Sequence, residues 1–99
     1  MNLEIQSIHF DADKKLLDFI KEKTGRLAQY HEGITRGSVY LRVEKAGGVA
    51  NKLAELRIHI PGHELFAKKQ CKSFEEAVDG SVEALAKQLR KHREKILGE

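Results

Sequence analysis

The sequence lacks several features that define whole classes of protein. It has one cysteine, Cys71, which cannot form an internal disulfide, so the fold needs no oxidising compartment. No apolar run approaches the roughly 20 residues that span a bilayer, and residues 1–4 have neither the basic lead nor the apolar stretch of a signal peptide. Proline occurs once and low-complexity tracts are absent, which argues against disorder. We therefore expect a soluble, cytoplasmic, globular protein.

The charges are distributed unevenly along a chain of 99 residues, which fits one domain, 1–99, because each domain must bury its own core. Lys and Arg number 18 and Asp and Glu 15, so the net charge is only +3. Residues 66–72 hold three lysines and no acid, residues 73–86 hold four acids and no cation, and residues 87–95 hold five cations and one acid. The basic excess therefore lies in two short segments that flank an acidic one.

The first third of the chain predicts a strand and a helix. Apolar residues over 2–10 favour a strand whose imperfect alternation could indicate a bulge. Asp11 or Asp13 can then cap a helix over about 13–30, because apolar positions there recur at spacings of three, four and seven. Gly25 is expected to weaken this helix without ending it.

The rest of the chain predicts three strands and a second helix. Two strands alternate, and their inward residues are Val39, Leu41, Val43, Leu56, Ile58 and Ile60. Pro61-Gly62 indicates a tight turn into a third strand through residues 65–67. Ser73 begins a capping box, with a glutamate three residues later, for a helix over about 74–96. The order β-α-β-β-β-α predicts a two-layer α+β sandwich in which both helices cover a four-stranded sheet.

Cations that could contact phosphate recur at helical spacing. One solvent-facing side of the last helix carries Lys87, Arg90, Lys91 and Lys95. Such a row can track a nucleic-acid backbone, although cations late in a helix also complement its macrodipole. The segment before this helix holds Lys68, Lys69 and Lys72, whose charges oppose the helix dipole, which favours phosphate contact. Lys23 and Arg26 of the first helix could extend the same surface, and each of these cations could also be an ordinary surface residue.

Other chemistry has less support in the sequence. The outward sheet face is expected to show Tyr40, Arg42, Arg57, His59 and Phe66, a mixture typical of modules that stack single-stranded bases, but no glycine-and-aromatic signature of such modules is present. His59 and His63 flank a turn, and no cluster completes a metal site. Cys71 has no identifiable base partner. We expect neither an enzyme nor a cofactor or metal.

Three segments resemble one family, the short ribosome hibernation-promoting factors, also called ribosome-associated inhibitors or ribosomal subunit interface proteins. Residues 56–62, LRIHIPG, look like the family's penultimate strand and hairpin, and residues 74–82 resemble the start of its second helix. Residues 87–95, KQLRKHREK, closely resemble the basic segment that ends that helix. The similarity covers nearly the whole chain.

The resemblance implies a fold like that of double-stranded-RNA-binding domains, with both helices on one sheet face. It also implies docking on the small ribosomal subunit, where messenger and transfer RNA would lie. Ribosomal RNA contacts are implied for Lys23, Arg26, Lys87, Arg90 and Lys91. Ala84 and Gln29 stand where basic residues are common, and Lys68, Lys69 and Lys72 could compensate. No dimerisation domain like that of longer relatives is expected.

The functional expectation is a non-enzymatic translation regulator that idles ribosomes by occupying the decoding channel. A generic double-stranded-RNA binder and a protein-interaction module such as a sigma-factor modulator remain alternatives. An oxidoreductase-like role for Cys71 is the remote enzymatic alternative.

Overall fold

The computed structural model describes residues 1–97, with side chains for all of these except residues 47 and 94–97. The elements are β1 (Asn2–Ser7), α1 (Lys14–Gly25), β2 (Arg36–Val43), β3 (Lys52–Ile60), β4 (His63–Cys71) and α2 (Phe74–Leu97). Short 3-10 turns follow α1 at Arg26–Gln29 and join β2 to β3 at Lys45–Gly47. The predicted order β-α-β-β-β-α and the α+β class are confirmed.

The four strands form one sheet in the order β1-β2-β3-β4. The first pair is parallel, as a strand–helix–strand connection permits, and the other two pairs are antiparallel hairpins. One register row crosses the whole sheet through Ile5, Val39, Leu56 and Ala67. Because side chains alternate along a strand, this row fixes which residues of every strand face the helices.

Both helices pack on the face that carries this apolar row. Ile20 of α1 and Leu85 and Leu89 of α2 are completely buried in the same core cluster as Val39 and Leu56. Neither described helix lies on the opposite face of the sheet, where Arg57 and Phe66 are exposed. Burying one stripe of each helix against one sheet face gives the predicted two layers. Neither of the described helices is both long enough and apolar enough to cross a membrane.

Both helices begin with the predicted caps. The backbone N–H of Leu16 donates to Asp13 Oδ1 at 2.8 Å, and the backbone N–H of Glu76 donates to Ser73 Oγ at 3.1 Å. Each bond satisfies one of the N–H groups that a helix start leaves without a partner. The Pro61-Gly62 turn is also confirmed, since Gly62 has a positive φ of 79°.

Three local expectations are wrong. β1 ends at Ser7 because the chain bends at His9, whose φ is 62°, and the following Phe10 stacks on Phe74 at 4.9 Å between ring centroids. The α-helix ends at Gly25, and the chain continues as a 3-10 turn, a common ending where a poor helix former loosens the last turn. Val43, expected to point into the core, is 43% exposed beside Lys52 at the end of its hairpin.

Candidate nucleic-acid interface

The exposed side of α2 is divided into an acidic half and a basic half. The first half carries the exposed residues Glu75, Glu76, Asp79 and Glu83, and the second half carries Lys87, Arg90, Lys91 and Arg93. Each sign complements the nearer end of the helix macrodipole. The opposite side of α2 is anchored in the core, so the basic half is held on a rigid support.

The cations of the basic half differ in their surroundings. Lys87 and Lys91 are exposed, and no ion pair between described side chains involves either of them. They lie four residues apart, or about 6 Å along the helix axis. The guanidinium carbon of Arg90 lies 5.8 Å from the ring centroid of Tyr30, which follows α1. This cation–π contact orients Arg90 along the junction of the two helices.

The lysines before α2 do not share one surface, because successive side chains of β4 point to opposite faces of the sheet. Lys68 points to the open face of the sheet, whereas Lys69 points to the helix face, as does Ala67. A Cβ atom at Gly80 would lie 3.3 Å from Lys69 Cγ, so the stem of Lys69 runs over α2 at this glycine. Lys72 is exposed in the turn before the helix cap. The structure therefore places only Lys69 against α2.

Lys69 extends the cation row of α2. At about 100° per residue, positions 80, 84, 87 and 91 fall on one stripe of the helix, within about 60° of arc. Lys69 covers that stripe at Gly80, and Lys87 and Lys91 occupy its other end, about 10 and 16 Å further along the axis. Between them the stripe holds the small side chain of Ala84. We call Lys69, Lys87 and Lys91 the lysine row.

The two cations that the sequence predicted for the first helix, Lys23 and Arg26, are engaged with acids. Lys23 Nζ lies 3.5 Å from Asp79 Oδ1 of α2, and the Lys23 side chain is only 22% exposed. Its ammonium also lies 5.5 Å from the ring centroid of Phe19. Arg26 is more exposed and pairs with Glu22 at 3.1 Å. Lys23 therefore joins the two helices beside the acidic half of α2, and Arg26 keeps a guanidinium that can exchange its surface carboxylate for a phosphate.

Lys95 is the last of the cations that the sequence predicted to contact phosphate. It lies within α2, but its side chain is outside the described part of the structure.

Three histidines that the sequence reasoning did not connect meet beside this surface. The ring centroids of His63 and His92 are 4.8 Å apart, and those of His31 and His92 are 5.9 Å apart. The backbone N–H of Gly33 donates to His31 Nδ1 at 2.8 Å. A Cβ atom at Gly33 would lie 2.7 Å from His31 Cε1 and 2.9 Å from Pro61 Cδ, so any other residue there would have to displace these rings. The cluster brings the basic half of α2 into contact with the segment after α1 and with the start of β4.

The cluster has no evident metal-binding role in the described part of the chain, where no group of three or more His, Cys, Asp or Glu residues could hold a metal ion. It borders a groove of about 470 Å³ that also contains Arg93. The three histidines lie in distant segments of the sequence, so their contact becomes visible only in the folded structure.

The described residues form a two-layer α+β domain of the order β-α-β-β-β-α with a basic helix half on its surface. The chain belongs to the family described as Sigma 54 modulation protein / S30EA ribosomal protein, whose sequence pattern matches residues 3–97. The resemblance to the ribosome hibernation-promoting factors is thereby confirmed.

Two relatives carry the name ribosome hibernation promoting factor. The protein of Escherichia coli (strain K12) is 30% identical, and that of Klebsiella oxytoca is 29% identical. In both cases the match covers 97% of each chain.

Two solved structures share the fold. The Protein Y N-terminal domain of Thermus thermophilus gives a TM-score of 0.81 at 22% identity, covering 93% of this chain and 99% of that one. A ribosomal subunit interface protein of Coxiella burnetii gives a TM-score of 0.84 at 18% identity, covering 94% and 98%.

Proposed function

We propose that the chain is a non-enzymatic ribosome hibernation factor that binds the small ribosomal subunit through ribosomal RNA. Its named relatives are ribosome hibernation promoting factors and match it over nearly their whole length. The observation that carries the RNA contact is the lysine row: Lys87 and Lys91 are exposed on a helix whose opposite side is buried, and Lys69 of β4 covers the same stripe at Gly80. Each phosphate that such a cation neutralises releases condensed counterions, which favours binding.

The proposed mechanism is electrostatic docking followed by steric exclusion. The lysine row and Arg90 bind phosphates of the small subunit, and the folded domain fills the decoding channel that messenger and transfer RNA use. The domain measures 45 × 24 × 18 Å, which is large enough to obstruct a strand of RNA. Lys72 and Arg26 are exposed beside the two helices and supply further phosphate contacts, whereas Lys23 acts mainly by holding α1 to α2.

Cosedimentation with purified small subunits at increasing salt tests the docking. We expect binding that weakens steeply with salt, because each phosphate contact releases a counterion. We also expect pre-bound messenger and initiator transfer RNA to reduce binding, since all three would occupy one channel. Binding that ignores salt, or simultaneous binding of all three, would contradict the proposal.

A duplex RNA competitor separates ribosome docking from generic duplex binding. A 20-base-pair duplex without ribosomal sequence should compete weakly with the small subunit, because it offers phosphates without the shape of the channel. Equal competition would make the chain a general double-stranded-RNA binder. Binding to a sigma factor without any ribosome binding would instead support a protein-interaction module.

A further inference from the structure

The open face of the sheet carries a patch that the docking of α2 does not use. Two neighbouring register rows cross strands β2, β3 and β4 on this face: Ser38, Arg57 and Phe66 in one, and Tyr40, Glu55 and Lys68 in the other. Most of these side chains, together with Arg42, line a shallow groove of about 380 Å³. The groove lies on the side of the sheet away from both helices.

Phe66 and Arg57 form a cation–π pair in this groove, which we call the platform. The guanidinium carbon of Arg57 lies 5.2 Å from the Phe66 ring centroid. Phe66 is 40% exposed and lies outside the apolar core cluster, so its ring contributes little to the core of the fold. A guanidinium that lies over an exposed aromatic ring is the kind of surface on which unpaired bases stack.

The charged groups around the platform are of both signs, with Glu55 also in the groove, and the arginines are held only by exposed ion pairs. Arg42 pairs with Glu44 at 3.3 Å and Arg57 with Glu64 at 3.3 Å, and all four side chains are between 38% and 51% exposed. Ion pairs as exposed as these are worth little in water, so a phosphate can replace either carboxylate. Lys68 stands in the next register row on the same face, where it is exposed opposite the half-buried Glu55.

We propose that this face binds a single-stranded RNA segment, with a base stacked on Phe66 and Arg57 and with Arg42 and Lys68 directed to its phosphates. A duplex does not fit this chemistry, because its bases already stack on each other and present no free face. Since the sheet face lies opposite the helices, the chain can contact one RNA through α2 and a second, unpaired segment through the sheet. This proposal holds whether or not the RNA that α2 binds is ribosomal.

Titration of the full chain with a fluorescein-labelled ten-nucleotide oligouridylate tests this site. Phe66→Leu keeps an apolar residue that suits a strand but removes the aromatic face, and Arg57→Lys keeps the charge but removes the plane. We expect the dissociation constant to rise about 5- to 100-fold in Phe66→Leu, the range of one lost base stack. Arg57→Lys should weaken binding as well. Arg36→Lys, on the same face but outside the groove, is the matched control and should bind like the parent chain.

Amide chemical shifts recorded in the same titration locate the strand. They should change in β2, β3 and β4 around the groove, and thermal melts of each variant exclude unfolding as the cause of any loss. If Phe66→Leu and Arg57→Lys bind like the parent, or if the shifts change only in α2, the proposal is overturned in favour of the helix cations. If the parent binds no oligouridylate, the proposal is also overturned. Small-subunit cosedimentation tests the docking through α2, and the oligouridylate titration tests the sheet face. One proposal can therefore fail while the other holds.

Discussion

Replacing Lys87, Arg90 and Lys91 by Gln should abolish most ribosome binding while the domain stays folded. Cations in the last turns of a helix contribute about 0.3–1 kcal/mol each when exposed, so the triple change costs about 1–3 kcal/mol in the free energy of unfolding. A small domain has about 5–15 kcal/mol in total. Gln retains good helix propensity, and the buried side of α2, with Leu85 and Leu89, is untouched.

The expected loss of ribosome binding is much larger than this loss of stability. Each phosphate contact contributes about 0.7–0.9 to the slope of log K against log salt, so the triple variant should lose about 2–2.7 from the slope. At 0.1 M salt this corresponds to about 100- to 500-fold weaker binding to the small subunit.

Cosedimentation over a salt series, with a thermal melt of each protein, measures both quantities. The matched control changes Lys15, Lys21 and Lys45 to Gln. These lysines are exposed and lie outside the candidate interface, and their substitution removes the same total charge. Equal weakening in the two triple variants would show that net charge alone matters, and the helix surface would then not be the site.

Three further predictions test separate parts of the structure. Lys69→Gln should lower the salt slope of small-subunit binding by about 0.7–0.9, whereas Lys68→Gln, on the opposite face of the sheet, should leave it unchanged; equal slopes would remove Lys69 from the lysine row. Gly33→Ala should lower the unfolding free energy by about 1–3 kcal/mol, because its Cβ collides with neighbouring rings, while Gly25→Ala, which meets open space, should raise it by about 0.5–1 kcal/mol in urea titrations. Ala84→Lys should fill the gap in the lysine row and tighten small-subunit binding about 5- to 8-fold at 0.1 M salt, and an unchanged affinity would contradict the stripe geometry.

Much of the fold follows from local sequence signals, and its deviations have physical causes. Alternation predicted the buried side of β3, and the Ser73 cap predicted the start of α2, because both depend on neighbouring residues. The bend at His9 has no such signal, since a positive φ outside glycine is maintained by the packing around it. The end of α1 at Gly25 depends on a balance between helix propensity and burial of the following residues that periodicity alone does not resolve.

The candidate site was predictable as a set of residue types but only partly as an arrangement. Helical spacing placed Lys87 and Lys91 on one side of α2, and strand alternation alone would have separated Lys68 from Lys69 once Ala67 was assigned to the core. The position of Lys69 over Gly80 was not predictable, because it depends on how β4 and α2 cross. The histidine cluster was hidden for the same reason, as its members belong to three segments.

The division of α2 into two charged halves determines how the domain can meet RNA. Phosphates attract Lys87 and Lys91 but repel Glu76, Asp79 and Glu83 on the first half of the same exposed side. In the docking that we propose, the acidic side chains of the first half would be turned from the RNA backbone. The phosphates would follow the lysine row, from the end of α2 that Tyr30 and the histidine cluster brace to Lys69 at Gly80. Lys23 supports this orientation, because its ion pair with Asp79 partly neutralises the acidic half and fixes α1 against it. With the proposed contact along the lysine row, and the open sheet face directed away from the helices, the domain can dock without covering the platform at Phe66.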